Sequence, residues 1–123
     1  MPQVTLEYTA NIAQEVHARE LFSELHQTLA DVLGVRVDNC KSRAFRLDAY
    51  HIGKGEAQNA FVHLDVRFLA GRPLEVKQDV GQRCLRLLEA YFEPSRAALE
   101  LQITVEVRDV ERQTYFKIPK GTF

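Results

Sequence analysis

The chain repeats itself, and this constrains its fold more than any other feature. Shifted by 58 residues, Val4, Leu6 and Tyr8 fall on Val62, Leu64 and Val66. Each run alternates with its neighbours as a half-buried strand does. A helical pattern follows each run. In the first, Ala18, Leu21, Phe22, Leu25, Leu29, Val32 and Leu33 recur at intervals of three and four, and Gly34 supplies a stop. In the second, Val76, Val80, Cys84, Leu87, Leu88 and Tyr91 do the same; Pro73 is placed as a first helical residue and Glu75 suits the opening turn. A further strand closes each half. Phe45, Leu47 and Ala49 alternate with Arg46, Asp48 and Tyr50; later, Leu99, Leu101, Ile103, Val105 and Val107 alternate with polar residues.

The chain is therefore expected to be α+β, with two fused β-α-β units over about 1–58 and 59–123 of one domain. The segment His51–Asn59, with Gly53 and Gly55, is the turn-rich link between them. A right-handed crossover makes the two strands of each half parallel. Two such halves joined about a pseudo-two-fold give a four-stranded mixed sheet with both helices on one face. The other face then needs cover, and a symmetric oligomer is the economical answer.

Composition excludes several classes. Charged residues make up 27% of the chain and the net charge is −1, so no basic excess points to nucleic acid or to an anionic membrane surface. No stretch approaches the roughly 20 apolar residues of a membrane span, and no signal peptide is read at the N-terminus, where Gln3, Glu7 and Asn11 interrupt the apolar residues. Two cysteines, Cys40 and Cys84, are too few for a disulfide framework or a zinc site, and free thiols in a reducing cytoplasm are expected. His17, His26, His51 and His63 show no metal-ligand spacing, so no metal and no cofactor are expected.

The chemistry is sought first at Pro2. A small residue after Met1 invites removal of the methionine, which exposes a prolyl amine. Placed in an apolar pocket among cations, such an amine loses its proton more easily and becomes a usable general base. Otherwise Pro2 is rigid punctuation before an edge strand. The repeat sets Ala60 at the matching position, so only the first half can supply a terminal base. Arg72, just ahead of the second helix, offers a fork that fits a carboxylate beside unpaired helical N–H groups, unless it only pairs with a surface acid. Lys41 and Arg43, around Ser42 at the head of the second strand, are the next cations, as substrate holders or as a solvated strand end. His63 is read as a satisfied sheet histidine rather than an acid or base. Phe116 and Tyr115 either wall a pocket or pack.

With Pro2, the doubled β-α-β pattern, Ser42-Arg43, Ala60-Phe61-Val62-His63, Ala70-Gly71-Arg72 and Phe116-Lys117, the sequence resembles the 5-carboxymethyl-2-hydroxymuconate isomerase family of the tautomerase superfamily. Relatives there are 4-oxalocrotonate tautomerase and macrophage migration inhibitory factor. The resemblance implies a homotrimer and a cofactor-free, metal-free proton shift on a di- or tricarboxylate in bacterial homoprotocatechuate degradation. It implies Pro2 as general base and Arg72 as a carboxylate-holding, dienolate-stabilising group. Lys41, Arg43 and Phe116 are then substrate-binding residues. Lys41 stands where that family is expected to carry an arginine, which leaves the charge but removes the bidentate fork. Two alternatives stay open: another superfamily reaction, such as hydration or dehalogenation of an unsaturated acid, or a non-enzymatic trimeric binding protein.

Overall fold

Two parallel β-α-β units share one four-stranded sheet in the computed structural model, which describes residues 1–120. The strands are β1 (Gln3–Thr9), β2 (Lys41–Leu47), β3 (Asn59–Leu69) and β4 (Glu100–Val110), in the order β2-β1-β3-β4. The helices are α1 (Ala18–Leu33), α2 (Leu74–Tyr91) and α3 (Glu93–Ala98). β1 runs parallel to β2 and β3 parallel to β4, while β1 and β3 meet antiparallel. Their register displays the pseudo-two-fold. Leu6 faces its own repeat mate Leu64, while Val4 faces Val66 and Tyr8 faces Val62.

The alternation works as the sequence indicates. Val4, Leu6, Val62, Leu64 and Val66 are all fully buried on the helix-covered face. Against them α1 lays Leu21, Leu25 and Leu29, and α2 lays Val80, Cys84 and Leu88, each set spaced four residues apart as one helical face requires. Gly34 ends α1 in the left-handed region, φ 71°, and its N–H donates to the Ala30 carbonyl at 2.9 Å. The loop into α1 is stitched to the end of α2: Gln14 Nε2 donates to the Tyr91 carbonyl at 3.0 Å, and the Tyr91 hydroxyl accepts the His17 N–H at 2.7 Å. The opposite face of the sheet is polar, carrying Thr5, Glu7, His63, Asp65, Thr104 and Glu106.

Three local expectations change. β2 begins at Lys41 and stops at Leu47, so Lys41, Ser42 and Arg43 lie within the strand rather than ahead of it. Its register pairs Leu6 with Ala44, and the period of two then sends Phe45 to the open face, 52% exposed, where an inward face had been expected. Pro73 is the N-cap of α2 rather than its first residue. α3, six residues opened by Glu93-Pro94, bridges α2 and β4 where the sequence showed no helical period, being too short to express one.

Candidate functional site

The topology gathers four chain segments at one edge of the sheet. Because β1 and β3 are antiparallel, the start of β1 meets the end of β3, with Gln3 opposite Arg67. Because each half is parallel within itself, the start of β2 and the end of β4 arrive at that same edge, Lys41 opposite Gln3 and Val110 opposite Leu69. Backbone bonds close the junction. Lys41 N–H donates to the Pro2 carbonyl at 3.0 Å, and Ala70 N–H to the Val110 carbonyl at 2.9 Å.

Met1 and Pro2 are buried here, Met1 only 5% exposed. With Met1 in place the Pro2 nitrogen is a tertiary amide. The Met1 amine therefore reports the environment: its pKa is lowered, first by burial, then by the nearby cations Lys41, Lys117 and Arg72, with the Cys40 thiol opposing. Burial in turn pushes the Cys40 thiol up. The sequence-predicted residues Pro2, Lys41 and Arg72 thus converge on one point.

Arg72 is held in position. Gly71 before it takes φ 129°, a conformation that L side chains rarely adopt, and this turns the chain out of β3. The guanidinium then donates through Nη1 to the Leu69 carbonyl at 3.3 Å and through Nη2 to the Leu33 carbonyl at 3.3 Å, and lies 5.5 Å from the centroid of the Phe68 ring. Its electrostatic partner is thus the C-terminal end of α1 rather than the first turn of α2, because the negative end of a helix dipole attracts a cation.

Arg43 reaches the open-face side of the same edge. Its Nη2 donates to Gln3 Oε1 at 2.7 Å and its Nη1 to the Val4 carbonyl at 3.5 Å. Together with Met1, Arg67 and Tyr115 it lines a cavity of about 520 Å³. A larger polar cavity, about 1050 Å³, opens at the far ends of β3 and β4 around Glu56, Arg96 and Glu100, away from the cations that surround the chain start. Phe116 is 86% exposed, so this chain's own fold does not draw its ring into the cavity. His63 lies along the open face with its Nδ1 2.6 Å from Thr104 Oγ1, a partnered sheet histidine. Among the described residues no group of three His, Cys, Asp or Glu side chains is placed to hold a metal, and no helix is long and apolar enough to cross a membrane. Cys40 and Cys84 are free and buried.

Sequence reasoning did not single out Arg67 or Cys40 as members of this site. The local signal of Arg67 is only its place in an alternating run on the face of His63 and Asp65; its place beside the chain start comes from the antiparallel pairing of β1 with β3.

Comparison with known proteins shows the family and the fold. A solved 5-carboxymethyl-2-hydroxymuconate isomerase from Deinococcus radiodurans R1 is 30% identical and superposes with a TM-score of 0.85, covering 94% of this chain and 87% of that one. The 5-carboxymethyl-2-hydroxymuconate Delta-isomerase of Escherichia coli is 26% identical over 117 residues, 95% of this chain and 93% of its own. A fused 4-OT symmetric trimer shares the fold at a TM-score of 0.72 and 17% identity, covering 98% of this chain and 94% of that one. The family model of 5-carboxymethyl-2-hydroxymuconate isomerase matches residues 2–119, and on that match the chain belongs to the 5-carboxymethyl-2-hydroxymuconate isomerase family.

Proposed function

We propose that the protein is an enol–keto isomerase acting on a 2-hydroxydienoate that carries two or three carboxylates, with the Pro2 amine as general base once Met1 has been removed. The observation that carries this reading is the convergence of Lys41, Lys117 and Arg72 on a buried chain start whose amine they make less basic. Family membership supports it independently.

The residues present supply what the reaction needs. The amine nitrogen takes the proton from the 2-hydroxyl. The oxygen's electrons form a carbonyl, the conjugated double bonds shift, and a carbon at the far end of the system takes the proton back. One base serves both transfers, and a positioned base contributes about 10²–10⁴-fold. Arg72, fixed by two carbonyls, holds a carboxylate and the negative charge that develops on the dienolate oxygen. Lys41 and Arg43 hold the remaining anionic groups, and Phe116 meets the substrate from its exposed position, beside a neighbouring copy in a homotrimer. The reaction belongs to the breakdown of aromatic acids such as homoprotocatechuate in the cytoplasm.

The test is Pro2→Ala, with Met1 removal verified by intact mass. Turnover of 5-carboxymethyl-2-hydroxymuconate is expected to fall at least about a hundredfold, with the unfolding transition and oligomeric mass unchanged. Unchanged turnover would sink the proline base.

A further inference from the structure

Arg67 has no part in the mechanism above, yet the register of the sheet places it beside the reacting edge. Val62, Leu64 and Val66 point into the core, so Asp65 and Arg67 rise on the open face. Arg67 stands opposite Gln3 on one side of β1, and Arg43 stands opposite Thr5 on the other. Both arginines line the cavity of about 520 Å³ beside the chain start.

Their partners leave them able to take an anion. Arg43 bonds only neutral acceptors among the described residues, the Gln3 side chain and the Val4 carbonyl. Arg67 is gripped from one side: its Nε and Nη2 donate to the two oxygens of Asp65 at 3.2 and 3.3 Å. Asp65 is only 16% exposed and also lies 3.5 Å from Arg108, so its charge is shared between two arginines. Arg67 Nη1 has no acceptor among the described residues. A guanidinium oriented by a partly buried carboxylate, with its remaining donors free, is suited to a planar two-oxygen anion. Neither Arg43 nor Arg67 is among the cations that lower the basicity of the chain amine, which are Lys41, Lys117 and Arg72.

We propose that Arg67, oriented by Asp65 and paired with Arg43, is a specificity-determining residue that binds a second carboxylate of the substrate, remote from the reacting end. This rests on the proposed isomerase site and names which end of the substrate each cation group holds. A conjugated acid with one carboxylate engages Arg72 alone. An acid with carboxylates at both ends engages both groups.

The experiment measures binding rather than turnover. Calorimetric titration compares adipate, a six-carbon dicarboxylate, with hexanoate, which has the same chain length and one carboxylate. The unaltered protein is expected to prefer adipate, and Arg67→Met to reduce that preference by about tenfold, the worth of one charge-assisted bidentate contact. Arg67→Lys, which keeps the charge without the fork, is expected to fall between the two. Equal affinity for both acids in the unaltered protein, an unchanged preference in Arg67→Met, or equal loss of both ligands in that variant would each overturn the proposal. Turnover of the same preparations is scored separately. A protein that prefers adipate through Arg67 but turns over no dienol keeps this second grip and loses the isomerase reading.

Discussion

The Arg72 guanidinium rests on the C-terminal end of α1, donating through Nη2 to the carbonyl of Leu33 at 3.3 Å. An arginine that follows β3 in the second repeat is thereby positioned by the helix of the first, so the site is built across the two halves. The same side chain anchors the turn through Leu69 and, in the proposed site, offers charge to the ligand. Arg72→Met is expected to lower turnover by about 10²–10³-fold and to cost about 1–3 kcal/mol, because two carbonyls lose a charged donor. Arg72→Lys restores charge but reaches one carbonyl at a time, so it recovers only part of each. Turnover assays with urea unfolding separate the two effects, and unchanged stability in Arg72→Met would show the carbonyl contacts to be idle.

In the proposed mechanism Lys41 sets the working pH of the base. Its positive charge disfavours the protonated form of the Met1 amine, and it would act in the same sense on a Pro2 amine exposed by removal of Met1. Removing that charge in Lys41→Met raises the amine's pKa, so the acid limb of the kcat/KM profile moves to higher pH. A limb that stays put or moves downwards contradicts this placement of Lys41.

His26 makes stability depend on pH. Burial lowers its pKa below the ordinary 6.5, and its Nε2 lies 2.6 Å from Ser42 Oγ. In the unfolded chain it titrates near 6.5, so on acidification the unfolded state takes up protons before the native state does. The contribution of neutral His26 is full above that value and is lost as pH falls from about 6.5 towards the lower native pKa. Chemical unfolding across this range should show the decline, and His26→Gln should flatten it.

Gly71 owes its identity to the backbone. Its φ is 129°, and a Cβ there would meet only Arg112 Nη2, at 4.0 Å. Gly71→Ala therefore costs about 1–3 kcal/mol through conformation rather than collision, and it shifts Arg72 off its two carbonyls. Thermal unfolding and turnover should fall together, whereas a neutral substitution would show that the turn accepts an L residue.

The two thiols should be slow to react. Cys84 is 1% exposed with its pKa pushed up to about 12, and Cys40 is 8% exposed with its pKa raised by burial. Little thiolate exists near neutral pH in either case. A disulfide reagent should modify neither at the rate of a free thiol in the native protein, and both after unfolding. Rapid native labelling of Cys40 would show that the chain start opens.

The division between sequence and structure runs along the range of the physical signal. Strand alternation and helical period are local, so the repeat, the helices ending at Gly34 and Tyr91, and the buried ladder of Val4, Leu6, Val62, Leu64 and Val66 could be read from the chain. The phase of β2 is not legible in the sequence because it is an edge strand with a thin apolar face, in which Ala44 faces inwards and the larger Phe45 outwards. α3 was missed because six residues hold too little of a helical period.

Site residues divide in the same way. The sequence by itself determined that two β-α-β halves must meet, and it offered Pro2, Lys41 and Arg72 as candidates for a cationic site; it could not say what Arg72 would lean on or that Arg67 belonged beside them. Only the antiparallel pairing of β1 with β3 decided that. It sets Gln3 opposite Arg67 at one edge, far apart as they are along the chain, and the register of a strand pair is a property of the assembled sheet rather than of either strand.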